Sequence, residues 1–270
     1  MTDPADHGHR PDFAAAREPG DITDIENPMT ESEEGLKRFP HTSSFAGDDG
    51  TTPAALAAAY AMEVPHRLGA VVDALRGARV LIPVVANIDE MEEPEYEGQV
   101  VGDKQSHAAM VTVAAADGRA ALPVFSSTAT MTAWRSDARP VPVEARKAAL
   151  AAGTEADSLL VLDPGTPEAT LIPSQAVAAI ATGEEWKNPL LDTEVHEAIA
   201  QIVEAIPAAT RAEVQPGKDA EIRIVLALKP GLDRVGVLNA SNHMSAALGS
   251  TPLITERIDS LELRITTAKG

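Results

Sequence analysis

Ser126 and Ser127 are the residues best placed for nucleophilic chemistry, because they follow the apolar run Ala120–Phe125 and precede a helical pattern. A serine between a strand and a helix is the arrangement found in the nucleophile elbow of hydrolases. That elbow is a strained turn that needs the glycines of G-x-S-x-G, and they are missing here. We therefore expect the two serines to cap the helix that follows them.

Carboxylates crowd the segment between residues 89 and 97, and carboxylate oxygens are the ligands that Ca²⁺ and Mg²⁺ prefer. Their spacing is not that of an EF-hand loop, and no glycine stands at the turn that such a loop requires. The pattern favours a solvated loop or a docking patch for a basic partner.

The other candidates for chemistry form no recognised constellation. His7 and His9 have no further ligands near them in the sequence, and His107 and His196 are paired with no carboxylate in a known arrangement. The chain has no cysteine, which excludes thiolate catalysis, disulfides and cysteine-based zinc sites. It also lacks a glycine-rich phosphate loop. The sequence therefore predicts no catalytic residue, no cofactor and no metal site.

One cluster is a candidate for ligand binding. Trp134, Arg135 and Arg139 could line a pocket for a small anion or an amino acid. Tryptophan is more often a core residue than a ligand platform, so the alternative is that Trp134 closes a hydrophobic core. These three residues are the candidate binding patch.

Composition narrows the class of partner. The chain of 270 residues is 44% hydrophobic and has a formal net charge of −19. Such a field repels phosphate backbones and anionic membranes, so we expect neither direct nucleic-acid binding nor membrane binding. The N-terminus lacks the basic and apolar regions of a signal peptide, and no apolar run approaches the roughly 20 residues that span a bilayer. We expect a cytoplasmic protein.

Residues 1–50 are rich in acidic and small polar residues and predict a disordered, flexible acidic tail. A first domain over residues 51–183 begins with a helix, for which Thr52 is the expected N-cap and Pro53 the first residue. The apolar runs Arg79–Val85 and Arg119–Phe125 predict strands. Each contains a proline, which cannot donate a ladder hydrogen bond, so we expect both prolines at a sheet edge or a bulge.

Turn and cap signals divide the rest of this domain. Asp117-Gly118 predicts a hairpin, because glycine tolerates positive φ. The Pro-Val-Pro sequence at 140–142 predicts a turn that leads into a helix. Asp163-Pro164-Gly165 predicts a turn between two short strands, and Ser174 is the expected N-cap of a helix that ends at Ala181.

Residues 190–270 show a clear α-β-β-α-β pattern beyond a linker at 183–189. Helix Thr193–Ile206 has an apolar face and begins after Asp192, its expected N-cap. Alternating strands are predicted over Glu221–Leu228 and Asp259–Thr266, with a shorter strand near 210–214 and a helix near 232–248. Sheets with one wet face are normally antiparallel and covered by helices on the other, which makes this domain α+β.

Five segments follow one another in a characteristic order: ARVLIPV (78–84), ALPVFSS (121–127), Trp134, RPVP (139–142) and LVLDPG (160–165). This order resembles the SseB family, named for enhanced serine sensitivity. The likeness covers residues 54–182 as the N-terminal domain of the family, and residues 190–270 resemble its C-terminal domain with weaker motifs. The resemblance implies a fold and no active-site residues, because the family is not known for a catalytic mechanism.

The sequence thus predicts an α+β protein of two domains, each a mixed or antiparallel sheet packed by helices, behind a disordered acidic tail. We expect a non-catalytic interaction or regulatory protein, not an enzyme, whose partner is an unknown protein. The alternative is a small-molecule (amino-acid) sensor or an enzyme linked to serine or amino-acid metabolism, which only the family name implies. A third interpretation is a scaffold for a basic partner, carried by the tail and the acidic loop 89–97.

Overall fold

The computed structural model of the chain describes residue 45 and residues 47–86 and 108–268. The side chains of Ala86 and of residues 108–110 are outside this description. The predictions for most of the tail, for the acidic loop 89–97 and for His7, His9 and His107 therefore lie outside the described residues. Among those residues, no helix is long and apolar enough to cross a membrane.

Helices and strands alternate irregularly along the described residues, as the sequence predicts for an α+β protein. The helices are α1 Ala54–Tyr60, α2 His66–Leu75, α3 Thr128–Trp134, α4 Ala145–Glu155, α5 Ser174–Thr182, α6 Thr193–Glu204, α7 Arg234–Ser250 and α8 Pro252–Arg257. The strands are β1 Arg79–Ala86, β2 Ala108–Met110, β3 Val113–Ala114, β4 Ala120–Val124, β5 Arg139–Glu144, β6 Leu159–Leu162, β7 Thr170–Ile172, β8 Ala209–Pro216, β9 Ile222–Leu228 and β10 Leu261–Thr267.

Residues 54–182 form two sheets, in the strand orders β2-β1-β5 and β3-β4-β6-β7. All neighbours are antiparallel except β4 and β6, which are parallel. A two-way bridge joins the sheets: the amide of Leu81 donates to the carbonyl of Phe125 at 2.8 Å, and the amide of Phe125 donates back at 2.9 Å. Helices α1, α2, α4 and α5 pack on the sheets around one large buried apolar cluster.

The strand prolines Pro83 and Pro123 lie inside their sheets, so the expectation of an edge or a bulge was wrong. Backbone groups alternate sides along a strand, so the nitrogens of both prolines point the same way as those of Leu81 and Phe125. On that side each proline faces the gap between the bridge and a neighbouring short strand, where no ladder donor is needed.

The Pro-Val-Pro sequence at 140–142 is part of strand β5, so the predicted turn was wrong. Strand β5 pairs with β1 in a register that sets Pro140 against Pro83 and Pro142 against Leu81. In this register the nitrogens of Pro140 and Pro142 point away from β1, toward the open edge of the sheet. An edge strand tolerates prolines there because no described strand pairs with β5 on that side.

Residues 209–267 form a three-stranded sheet in the order β10-β9-β8. It is mixed: β9 pairs antiparallel with β8 and parallel with β10, because helix α7 carries the chain across between them. Helices α6, α7 and α8 share a second buried apolar cluster with the strands, which includes the fully buried Ile222, Ile224 and Leu226. Helix α8 was not predicted. Asp192 accepts from the amide of Glu194 at 3.0 Å, which confirms it as the N-cap of α6.

Candidate functional site

The carboxylate of Asp163 is the centre of a buried polar network at the end of strand β6. The residue is 1% exposed. Its Oδ1 accepts from the amide of Ser126 at 2.8 Å and from the hydroxyl of Thr130 at 2.8 Å. Its Oδ2 accepts from the hydroxyl of Tyr60 at 2.6 Å. The network therefore links helices α1 and α3 to the ends of strands β4 and β6.

The fold brings Ser126 and Asp163 together because β4 and β6 are parallel neighbours. Their carboxyl ends meet at one edge of the sheet, where open α/β sheets commonly bind ligands. Asp163 has φ +49° and Gly165 has φ +82°, so this turn needs a residue that tolerates the left-handed region at both places. The Asp-Pro-Gly turn predicted from the sequence thus also positions a buried carboxylate.

The two serines have different roles. Ser127 is the N-cap of α3, and its hydroxyl accepts from the amide of Thr130 at 3.1 Å, as expected. Ser126 caps no helix, so the expectation was wrong for this residue. Its hydroxyl instead lies 3.0 Å from that of Thr52 and shares a hydrogen bond with it. Thr52 is likewise not the predicted cap of α1, for which Pro53 is the N-cap residue.

Arg79 ties the chain before α1 to the same network. One guanidinium nitrogen donates to the carbonyl of Ser126 at 2.7 Å, and another donates to the carbonyl of Thr51 at 2.9 Å. Its Nε lies 2.5 Å from a carboxylate oxygen of Asp48. The hydrogen bond from Arg79 lowers the pKa of Asp48.

Tyr60 acts as a donor in this network and not as an acid. Burial, followed by the negative charge of Asp163 and the hydrogen bond to it, raises the pKa of the phenol well above its usual range. The phenol therefore stays protonated and donates to Oδ2 at physiological pH. Both oxygens of the carboxylate are engaged by donors of the fold itself.

Replacing Tyr60 with phenylalanine should destabilise the fold without changing its shape. The substitution leaves Oδ2 of Asp163 buried without the phenol donor, which costs roughly 1.5–3 kcal/mol for a hydrogen bond to a charged group. Urea unfolding followed by circular dichroism measures the loss. Thr154→Val, which removes an exposed hydroxyl, is the control and should be nearly neutral. Equal stability of Tyr60→Phe and the wild type would contradict the role given to the network.

The residues of the candidate binding patch make separate contacts. Trp134 is half-buried and packs against Phe125 with ring centroids 5.2 Å apart, and a β-carbon at Gly165 would lie 3.6 Å from its Cδ1. Arg135 pairs with Asp137 at 2.9 Å, and Arg139 is exposed at the start of β5. Trp134 thus contributes to a core, beside the Asp163 turn. A ligand-binding role for the three residues stays a prediction.

A second polar cluster, which the sequence did not reveal, is centred on Asp259, just before β10. The side chain of Asp259 is 3% exposed. Arg119, just before β4, donates to both of its oxygens, at 3.0 and 2.5 Å. The hydroxyl of Ser174 also donates to Oδ1. The sequence predicted Ser174 as the N-cap of α5, but Ser174 is the first residue of the helix and Pro173 is the N-cap residue. We call these residues, together with Glu221, the junction cluster.

Glu221 completes the junction cluster with an unusual carboxyl group. Its Oε2 accepts from the amide of Asp259 at 2.7 Å, whereas its Oε1 is buried without a hydrogen-bond partner among the described residues. Burial raises the pKa of Glu221 to about 8; the charge of Asp259 adds to this, and the charge of Arg119 opposes it. For Asp259, burial acts to raise the pKa, but the hydrogen bonds from Arg119 and Ser174 prevail and lower it.

Stability should therefore fall as the pH rises between about 4.5 and about 8. In this window Glu221 is protonated in the folded chain and ionised in the unfolded chain, so the folded state binds more protons and loses that advantage with rising pH. The pKa difference corresponds to roughly 3–5 kcal/mol. Urea unfolding at a series of pH values measures the slope. Glu221→Gln, which has no proton to release, should flatten it, whereas Glu256→Gln on the exposed side of α8 should not. An unchanged slope in Glu221→Gln would contradict the assignment.

Comparison with known proteins identifies the family that the segment containing the Asp163 network resembles. Residues 53–179 match the family model described as the SseB protein N-terminal domain. The chain carries an SseB N-terminal domain. Asp163, Ser126, Tyr60 and Trp134 all lie inside the SseB match, whereas Asp259 and Glu221 lie beyond it. No curated protein and no solved structure matches the chain. That residues 190–270 are the C-terminal domain of an SseB protein stays a prediction, as do the domain boundaries.

Proposed function

We propose that this SseB protein is a non-catalytic interaction or regulatory protein. The observation that carries the proposal is that the polar side chains at the carboxyl ends of β4 and β6, where a ligand site would be expected, are hydrogen-bonded to other residues of the fold. Both oxygens of Asp163 accept hydrogen bonds from Tyr60, Ser126 and Thr130, and the hydroxyl of Ser126 pairs with that of Thr52. An enzyme would direct such a carboxylate and such a hydroxyl at a substrate, whereas here both groups form hydrogen bonds that stabilise the fold.

The surface of helix α7 supports a role in protein interaction. Leu232, Val235 and Leu238 are 36%, 61% and 57% exposed, and their spacing of three residues places them along one side of the helix and its entry. The opposite side is buried through Ala240, Met244 and Leu248. We call the three exposed residues the α7 patch. Neighbouring exposed apolar side chains on a protein surface mark sites of contact with other proteins.

The nature of the partner follows from charge. A net charge of −19 disfavours nucleic acid and anionic membranes and suits a partner with a basic surface. A cytoplasmic location is part of the same proposal. Contacts made through the α7 patch will tolerate salt, because burial of apolar surface is not screened, whereas contacts made through acidic residues will weaken as salt is added.

The rival hypothesis, an amino-acid sensor or enzyme, is tested by a thermal-shift panel. Because Trp134, Arg135 and Arg139 make separate contacts, we expect no rise in melting temperature with serine or other amino acids. A ligand that binds only the folded state raises the melting temperature by mass action, so a rise of several degrees with serine would support the rival.

Val235→Asp and Leu238→Asp should each reduce capture of the partner by the full chain. Each substitution places a charge in the α7 patch, where a bound partner would bury it. Affinity capture followed by mass spectrometry, at low and at high salt, compares the variants with the wild type. Leu150→Asp is the matched control, since Leu150 is also 57% exposed but lies on helix α4. Capture that survives both α7 substitutions, or that Leu150→Asp reduces equally, would remove the α7 patch from the proposal.

A further inference from the structure

Strand β8 is an outer strand of its sheet and has one open edge in the described part of the chain. It is eight residues long and pairs only with β9 among the described strands. A groove of about 610 Å³ runs along it, between β8 and helix α6. Arg211 and Glu213 stand on the solvent-facing side of β8, where they pair with each other and are 64% and 45% exposed.

The backbone of β8 offers hydrogen bonds at this edge. The amide of Gly217 donates to the carbonyl of Glu221, which continues the β8–β9 ladder. This bond shows which alternate residues of β8 direct their backbone groups at β9. Residues 211, 213 and 215 therefore bond to β9, and the amides and carbonyls of Ala212 and Val214 point outward. Pro216, which has no amide hydrogen, falls in the outward set. An edge with free donors and acceptors can take an additional strand.

We propose that two copies of this chain pair through β8, antiparallel and with a two-fold axis at Ala212. In this register the outward groups of Ala212 bond to those of the second copy's Ala212, which is the hydrogen-bonded type of pair. Arg211 then lies directly opposite the second copy's Glu213, and Glu213 opposite the second copy's Arg211. The two three-stranded sheets become one of six strands. The proposal goes beyond the proposed function and does not depend on the α7 patch.

Charge selects this register over its neighbours. An axis at residue 211 would set arginine against arginine, and an axis at residue 213 would set glutamate against glutamate. Like charges directly opposite each other on antiparallel strands are destabilising, whereas opposite charges stabilise the pair. Only the axis at Ala212 replaces the Arg211–Glu213 pair within each copy by two Arg211–Glu213 pairs between the copies. The edge is therefore complementary to itself.

Helix α6 borders the same groove. His196, Ala200 and Glu204 are exposed, are spaced four residues apart and line the groove beside β8. A two-fold axis through the sheet places both α6 helices on one face and antiparallel, so the groove of each copy borders the proposed interface.

Charge-reversal variants test the pairing in the full chain. Analytical ultracentrifugation should show a wild-type dimer. Arg211→Glu and Glu213→Arg each place like charges opposite each other twice, so each should raise the dimer Kd roughly tenfold or more. Mixing the two variants should restore association, because every pair is then of opposite charge. Arg264→Glu, on the other outer strand β10, is the matched control and should leave the Kd unchanged.

A disulfide test reports the register directly. The chain has no cysteine, so any crosslink comes from an introduced residue. Ala212→Cys should crosslink on oxidation, because the two copies of residue 212 face each other. Gln215→Cys should not, since the two copies of residue 215 lie about 20 Å apart at roughly 3.3 Å per residue.

Several outcomes would overturn the proposal. A monomeric wild type would do so, including one that instead binds an extended foreign peptide at β8. A dimer that Arg211→Glu does not weaken, a mixture of variants that fails to associate, or a crosslink at residue 215 in place of residue 212 would each do the same. Circular dichroism of every variant separates lost pairing from lost folding. Capture of partners through the α7 patch is measured separately, so the failure of one proposal does not imply the failure of the other.

Discussion

A buried carboxylate must be surrounded by donors, and this constraint organises the N-terminal half of the described chain. Asp163 is 1% exposed, and its three donors come from the end of α1, the end of β4 and the first turn of α3. Each donor fixes the position of its own element relative to β6. The apolar cluster beneath the network supplies most of the stabilising burial, but it is not directional. The hydrogen bonds of Asp163 are directional, and they select one arrangement of helices on this sheet.

The junction cluster applies the same chemistry between the two halves. Arg119 and Ser174 belong to the elements of residues 54–182, and Asp259 and Glu221 flank strands β10 and β9. The contact is charged and bidentate, so it is specific in geometry as well as in partner. Its unusual member is Glu221, whose carboxyl group is mostly protonated near neutral pH because burial raises its pKa to about 8. The cluster thus holds one buried negative charge, and Arg119 compensates it.

Local sequence signals predicted the elements well and their mutual contacts poorly. The periodic apolar face of α6, its cap Asp192 and the Asp117-Gly118 hairpin were readable because each depends on residues close together in the chain. Strand β5 was missed because its prolines argue against a strand unless the strand lies at an edge, and the edge is set by distant partners. The carboxylate of Asp163 was seen only as part of a turn, because Tyr60 is 103 residues away. Arg119 and Asp259 are 140 residues apart, and neither carries a local signal.

The polar character of the junction cluster has a consequence for how such proteins can be recombined. An apolar contact between two halves leaves adhesive surface on each when they are separated, and that surface promotes aggregation. A guanidinium, a hydroxyl and two carboxylates behave differently, because water solvates each of them once they are parted. At the junction cluster, a new neighbour would therefore need to supply polar groups, above all a carboxylate for Arg119, and not a matching apolar surface.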